Sequence, residues 1–433
     1  MVANGVDTMA QMPELRKKLA WTLFILCMYR VGVHVPVPGI DVSALSHFFA
    51  SMQGSVFALL DMFSGGGLRN VSVFALGIMP YISASIILQL MQVVSPDIKR
   101  MAKEEGQVGR RKITQYTRYL TVGITLIQGL GIATLLEGMT SPENAPVVMN
   151  PGWEFRLVTI VTLTAGTILI MWLGEQITAK GIGNGISLII FSGIVVGIPG
   201  ALLRSFQLIK AGDMNILFAI FIVIMMLAVT VGIVFVERAQ RRIPIQYAKR
   251  QIGRRMYGGQ TTHLPLRINT AGVIPPIFAQ SLLLFPATMA GFSTAVWLQR
   301  VVQWFQPTSI LYNIIFVGLI FFFCFFYTAI IFDPKDIAEN LKKAGGFVPG
   351  IRPGEKTREY IDNVLTRLTF WGGIYISLIS VLPMLLIAQF NVPFYFGGTS
   401  LLILVGVAID FMSQVESHLI SQQYGDLMKN RRA

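Results

Sequence analysis

The feature that most constrains this chain is a series of apolar blocks, each about 18–25 residues long. A helix of about 20 residues covers the hydrocarbon core of a bilayer, so blocks of this length are typical of membrane-spanning helices. Only 13% of the 433 residues are charged, which is about half the share found in a soluble domain. The sequence therefore predicts an all-α, multi-pass membrane protein.

Ten spans are predicted, and the fifth is the least regular. Gly193, Gly197 and Pro199 interrupt it, which leaves nine spans as an alternative. Nine spans would place the two ends of the chain on opposite sides of the membrane. The ten predicted spans lie near residues 19–37, 73–93, 119–137, 157–176, 184–203, 215–236, 269–290, 309–332, 368–388 and 400–420.

The positions of the positive charges predict the orientation, because lysine and arginine are favoured in cytoplasmic connections. With the N-terminus placed inside, 29 of the 35 lysines and arginines lie in cytoplasmic connections and 4 lie in outer ones. This distribution favours ten spans with both termini in the cytoplasm. It also accounts for the net charge of +13 without a nucleic-acid partner.

Two short motifs recur five spans apart. Residues 77–84 in the second span and 272–279 in the seventh both fit G-x-x-P-x-I-x-A. A weaker pair opens the fifth and tenth spans at Gly185 and Gly398. Because five is an odd number, the two halves of the chain would run in opposite directions through the membrane, which is the inverted repeat common in transport proteins.

The repeat divides the chain into an N-terminal half, residues 1–203, and a C-terminal half, residues 204–433. Pro80 and Pro275 lack a backbone donor, so we expect kinked helices at matching places beside a central cavity. Isoleucines at matched positions would face one another across the pseudo-axis; the alternative is that they face lipid or fill the packing, as most membrane isoleucines do. The matched pairs are Ile82 with Ile277 and Ile190 with Ile403.

Residues 57–70 are moderately apolar but too short to cross the membrane. The run Gly65-Gly66-Gly67 allows a hinge, and Asp61 and Arg69 make exposure to lipid costly. The segment is either a short plug helix that re-enters from the outer face or an ordinary outer loop.

Two of the cytoplasmic connections, residues 237–267 and 333–367, are long and basic. Two or three positive charges in a short loop would be enough to set the topology. Connections of about 30 residues with many more charges therefore favour a docking surface over a purely topological role.

Chemistry-bearing residues are scarce in the spans. Few ionisable groups lie there, and the sequence shows no phosphate-binding glycine loop, metal-ligand cluster or nucleophile–base pair. We therefore expect no cofactor and no enzymatic activity. A small-solute secondary transporter shares the inverted repeat, but proton-coupled transporters normally carry buried carboxylates along their path.

Motifs along nearly the whole chain are similar to those of the SecY family, the central channel subunit of the bacterial Sec system. They are residues 36–41 (PVPGID), 62–66 (MFSGG), 74–85 (FALGIMPYISAS), 109–119 (GRRKITQYTRY), 172–178 (WLGEQIT), 248–251 (AKRQ), 262–266 (THLPL), 347–355 (FVPGIRPGE) and 393–402 (PFYFGGTSLL).

The resemblance implies ten helices around an hourglass pore with three functional parts. The isoleucine ring at its waist would comprise Ile78, Ile82, Ile186, Ile190, Ile277 and Ile403. The plug would include Phe57, Leu60, Asp61, Phe63, Gly65, Gly66, Gly67 and Arg69. The lateral gate, between spans two and three and spans seven and eight, would include Pro80, Ser83, Ser85, Gln89, Asn269, Thr270, Pro275 and Gln280.

The resemblance also implies partners and a location. The basic connections would dock the motor ATPase SecA or the ribosome through Arg241, Arg242, Arg254, Arg255 and Arg352, of which Arg352 matches a position needed for SecA-driven transport. Further expected partners are SecE, SecG, secretory precursors with their signal peptides, membrane lipid, and the SecD, SecF and YidC proteins. The expected location is the bacterial inner membrane, and the expected role is a conduit for unfolded polypeptides.

Overall fold

A computed structural model describes residues 13–41, 61–103, 105–138, 147–212, 215–247, 250–252, 255–257, 261–290, 309–390 and 398–430. Twelve helices occur within these residues: α1 Pro13–Gly32, α2 Met79–Val94, α3 Pro96–Lys103, α4 Gly106–Glu137, α5 Trp153–Lys180, α6 Gly185–Ala211, α7 Ile216–Arg238, α8 Ile274–Ala290, α9 Ile310–Ile331, α10 Pro334–Lys343, α11 Glu355–Phe390 and α12 Gly398–Asn430.

Each of the ten predicted spans overlaps one helix, so the fold is consistent with ten spans. Seven helices (α4–α7, α9, α11 and α12) are long and apolar enough to cross a membrane. The pair α2 and α3 passes the same test only jointly, and it bends by 107°. The described apolar part of α8 is shorter than a full span, and α1 begins with a charged turn.

The fifth predicted span is an uninterrupted helix. Helix α6 continues through Gly193, Gly197 and Pro199, and it is among the helices able to cross a membrane. Its start is fixed by Asn184, whose side-chain oxygen accepts a hydrogen bond from the backbone N–H of Ile186 at 3.1 Å. The structure therefore favours ten spans over the nine-span alternative.

The expected kinks at Pro80 and Pro275 are wrong. Both prolines lie in the first turn of their helices, α2 and α8. Backbone N–H groups in a first turn have no partner within the helix, so proline costs nothing there and its fixed φ favours the start. The helix of the second predicted span begins at Met79, about six residues after the predicted start near residue 73, because residues 64–78 form turns.

The connection at residues 237–267 contains strands that the sequence did not predict. Strand β1 (Gln240–Tyr247) pairs antiparallel with β4 (Thr261–Arg267), and β2 (Arg250–Ile252) pairs with β3 (Arg255–Tyr257). Strand β5 (Gly346–Phe347), from the other basic connection, pairs with β1. The two connections therefore form one unit.

We call residues 240–267 and 333–368 the loop domain, because they share a hydrophobic core of their own. Ile243 and Leu266 from the sheet pack in it with Val348, Ile361 and Leu365. Inward-facing Ile243 and Ile245 alternate with exposed neighbours along β1, as in a strand with one buried face. Within the described residues, the loop domain joins the membrane helices through the ends of α7, α8, α9 and α11.

Candidate pore, plug and gate

The matched glycines Gly77 and Gly272 adopt the same backbone conformation. Their φ angles are +55° and +65°, a left-handed region that favours glycine. In each case the helix begins two residues later, at Met79 and at Ile274. The repeated motif thus has the same local structure in both parts of the chain: a left-handed glycine, then a helix with proline in its first turn.

The second pair of matched glycines also behaves alike. Gly185 begins α6 and Gly398 begins α12. A Cβ added at Gly185 would overlap the carbonyl oxygen of Gly174 in α5, and one added at Gly398 would overlap that of Ile379 in α11. Each helix start therefore lies directly against the backbone of the preceding helix.

The isoleucines predicted for the pore ring lie in one hydrophobic cluster. Five of them (Ile78, Ile82, Ile190, Ile277 and Ile403) are buried in it, and Ile186 is half-buried and packs against it. They come from α2, α6, α8 and α12 and from the turn before α2. The structure thus places all six predicted residues in or against one large hydrophobic cluster.

The plug segment is described from Asp61 onward; Phe57 and Leu60 lie outside the described residues. Residues 61–63 are helical and a compact turn follows. The Arg69 backbone N–H donates to the Asp61 carboxylate at 2.7 Å, and burial raises the pKa of that carboxyl while this hydrogen bond opposes the rise. This hydrogen bond gives the Asp61 carboxylate a partner within the protein, which fits the expectation that its exposure to lipid would be costly.

The segment predicted as the plug contributes to the hydrophobic cluster that contains the isoleucines. Phe63 is 1% exposed and belongs to the same cluster as five of the six isoleucines, against which Ile186 packs. Gly65 lies against α6, where a Cβ on it would be 2.9 Å from the Cα of Gly193. Gly67 is equally confined, since its added Cβ would be 2.9 Å from the carbonyl oxygen of Phe74. The glycines predicted as a hinge thus also permit close backbone packing.

Helix α8 packs against both α2 and α4, which forms the seam predicted as the lateral gate. Pro80 and Pro275 lie at the helix starts on either side. Half-buried Ser85 accepts a hydrogen bond from Gln89 at 3.1 Å along α2, and Ser83 is also half-buried.

On the α8 side of the seam, Gln280 is fully buried, and neither side-chain polar atom has a partner in the described residues. The Thr270 hydroxyl is 3.2 Å from that of Thr328 in α9. These contacts place polar groups along the predicted gate.

Glu237 is a residue near the gate that the sequence did not single out. The Asn269 side-chain amide donates to its carboxylate at 2.7 Å, and the backbone N–H of Gly272 donates to Asn269 at 3.0 Å. Asn269 therefore ties the end of α7 to the turn before α8. The available signal was a glutamate at the end of an apolar span, where a buried charge needs a partner.

Basic side chains project from the loop domain. Arg241, Arg242 and Arg352 are exposed, and none of them forms an ion pair with another described residue. Arg255 lies in β3, and Arg254 falls outside the described residues. The turn carrying Arg352 is fixed from within, because its carbonyl oxygen accepts the Thr357 hydroxyl hydrogen bond at 3.0 Å.

In the described part of the chain, no group of three or more His, Cys, Asp or Glu side chains lies close enough together to hold a metal ion. The helical fold and the converging apolar side chains together define a polytopic membrane channel.

The chain belongs to the SecY family, whose family model matches residues 72–412. It is 50% identical to the protein translocase subunit SecY of Aquifex aeolicus over 423 residues, which cover 98% of this chain and 99% of that protein.

Solved structures show the same fold. One is a SecY channel whose plug domain stabilises its closed state and maintains a membrane seal; it is 19% identical, covers 95% of this chain and 96% of its own, and gives a TM-score of 0.64. Another is Sec61 in the canine ribosome–channel complex from the endoplasmic reticulum. It is 16% identical, has the same coverage and gives a TM-score of 0.61.

Proposed function

We propose that this chain is the protein-conducting channel of a bacterial Sec translocon, which passes unfolded secretory polypeptides across the membrane. The observation that carries the proposal is that five of the six isoleucines, from both halves of the chain, are buried in one hydrophobic cluster with Phe63, while Ile186 packs against it. Apolar side chains make no lasting hydrogen bonds to a passing chain, and a closed apolar constriction resists hydration. An unfolded chain would enter from the cytoplasm, displace the plug and pass between these isoleucines.

The seam between α8 and the pair α2 and α4 is the proposed lateral gate. Parting of these helices would release an apolar signal peptide or transmembrane segment into lipid. Its buried polar groups, among them Gln280, support this role because unpartnered polar groups weaken a helix contact in an apolar environment.

The proposed location is the bacterial inner membrane, with both termini in the cytoplasm. The distribution of lysine and arginine supports this orientation. SecE and SecG are the proposed stable subunits, and SecD, SecF and YidC are further candidate partners; the relative in Aquifex aeolicus, which bears the name of a translocase subunit, supports an assembly of this kind.

Energy for transport would come from SecA or a translating ribosome. The loop domain, with exposed Arg241, Arg242 and Arg352, is the proposed docking surface, and Arg254 and Arg255 would extend it. The Sec61 structure in a ribosome–channel complex supports a ribosome as one partner of this fold.

Crosslinking tests the proposed path directly. A photoreactive probe at Ile190 or Ile403 should crosslink to a secretory precursor that is arrested during transport, because both residues lie in the buried cluster. A probe at Leu227 of α7, which is 61% exposed on the outside of the helix bundle, serves as the matched control and should give only background. Precursor crosslinks absent from both cluster positions would instead favour the small-solute transporter.

The docking surface is tested by Arg352→Glu. We expect SecA-driven import into membrane vesicles to fall about tenfold or more, as when an interface loses an arginine hot spot. Its side chain is exposed and only its carbonyl oxygen supports the turn, so the fold should remain intact. The matched control is Lys210→Glu, which makes the same change of charge at an exposed position near the end of α6, outside the loop domain, and should import normally. Undiminished import by the Arg352 variant would refute the assigned role.

A further inference from the structure

Helix α1 holds the plug through two hydrogen bonds from neighbouring side chains. The Tyr29 hydroxyl donates to the carbonyl oxygen of Ser64 at 3.0 Å. The Arg30 guanidinium donates to the next carbonyl, that of Gly65, at 2.9 Å. Both acceptors lie directly after Phe63. Helix α1 is therefore hydrogen-bonded to the backbone of the turn that follows Phe63, a residue buried in the same hydrophobic cluster as the isoleucines.

Contacts outside the plug segment orient Tyr29. Its side chain is fully buried, and its ring stacks on that of Phe74 with centroids 5.8 Å apart and planes inclined by 12°. Packing therefore fixes the ring, and the hydroxyl is aimed at the Ser64 carbonyl. A preorganised donor forms its bond with little loss of conformational freedom.

Arg30 is unusual because it is a charged residue in the last turn of α1, inside the first predicted span. Charged side chains are costly there and normally have a specific partner. Within the described residues Arg30 forms no ion pair, and its guanidinium is bonded instead to the plug backbone. Hydrogen bonds from a charged donor are about twice as strong as neutral ones.

The opposite side of the same turn is closed by α6. An added Cβ on Gly65 would lie 2.9 Å from the Cα of Gly193 and 3.1 Å from the Tyr29 hydroxyl oxygen. The turn is thus clamped between backbone on one side and two side-chain donors on the other. Between the described plug residues and α1, these two donors provide directional bonds that must break when the plug leaves.

We propose that Tyr29 and Arg30 are plug-positioning residues: a latch whose two hydrogen bonds set how often the closed plug leaves its seat. The proposal rests on the proposed function, in which the plug must move aside before a polypeptide can pass. Weakening the latch would raise the fraction of channels with a displaced plug while leaving the pore lining unchanged.

The test measures exposure of the plug turn in the reconstituted complex. Cys27→Ser removes the exposed native thiol, and Ser64→Cys introduces a reporter at a position that is 1% exposed, with the acceptor carbonyl kept. The rate of alkylation by a membrane-impermeant maleimide then follows the population of displaced plug. We expect the rate to rise about fivefold with Tyr29→Phe and about tenfold or more with Arg30→Met.

Two further variants control for indirect effects. Tyr375→Phe removes a buried hydroxyl that has no hydrogen-bond partner in the described residues, and it should leave the rate unchanged. Arg30→Lys keeps a charged donor, so its alkylation rate should stay close to that of the unaltered latch and well below that of Arg30→Met. Alkylation at the background rate in both Tyr29→Phe and Arg30→Met would overturn the latch.

Resting ion conductance of the same channels separates this proposal from the sealing role of the plug. Faster alkylation together with a higher leak supports both. Faster alkylation without a leak supports the latch and contradicts the plug as the seal.

Discussion

Replacing Ile82 and Ile277 together by glycine should make the resting channel leak ions, raising its conductance about tenfold or more. Both side chains are buried in the isoleucine cluster, on α2 and α8. Removing eight carbon atoms from the proposed apolar constriction would allow water to enter, and hydrated ions could follow the water. The measurement is single-channel current in planar bilayers without a precursor.

The matched control is Ile220→Gly together with Ile224→Gly on α7. These isoleucines are 51% and 60% exposed on the outside of the bundle, and glycine costs each helix interior about 1 kcal/mol there as well. The control should stay sealed. An unchanged conductance in the Ile82 and Ile277 double variant, with normal amounts of protein in the membrane, would show that these isoleucines do not contribute to the seal.

A second large effect is expected from Gly398→Ala, which should prevent stable folding. The added Cβ would overlap the carbonyl oxygen of Ile379 and lie 2.9 Å from the Cα of Ser380, both in α11. Backbone atoms within a packed helix cannot move aside cheaply, so we expect a loss of about 3 kcal/mol or more. The amount of protein in the membrane and the midpoint of thermal unfolding in detergent measure the effect.

The inverted repeat makes a paired prediction, since Gly185→Ala meets the carbonyl oxygen of Gly174 in the same way. It should be as damaging as the change at Gly398. In contrast, Gly232 of α7 has no atom within 4 Å of an added Cβ, so Gly232→Ala should be neutral or slightly stabilising. Tolerance of alanine at either matched glycine would show that the close backbone approach can relax.

Much of the membrane part could be predicted from sequence because its signals are long or repeated. Apolar blocks of spanning length indicated which segments are helical, although α4 and α11 each begin 13 residues before the predicted span. The two repeated motifs selected four isoleucines that all lie in one hydrophobic cluster. Family resemblance added Ile78 and Ile186, which the repeat alone did not select. The structure places all six in or against one cluster.

The errors have physical causes. Pro80 was expected to kink a helix because hydropathy marks an apolar run but not the residue at which the helix begins. The sheet in the loop domain was missed because its strands are short and basic, and Ile243 is buried only by residues from the other connection, such as Val348. The hydrogen bond from Asn269 to Glu237 likewise depends on two segments meeting. Contacts of this kind have no periodicity in the sequence.

The loop domain has mechanical consequences. It is a compact unit with its own core, rooted in α7, α8, α9 and α11 rather than tethered by a flexible linker. Asn269 stiffens one root, where strand β4 leads into the turn before α8. A motor or ribosome that grips the exposed arginines would therefore apply a torque to α8, one wall of the seam. Under the proposed docking, the loop domain would act as a lever arm, and mechanical load on it would reach α8 through the protein.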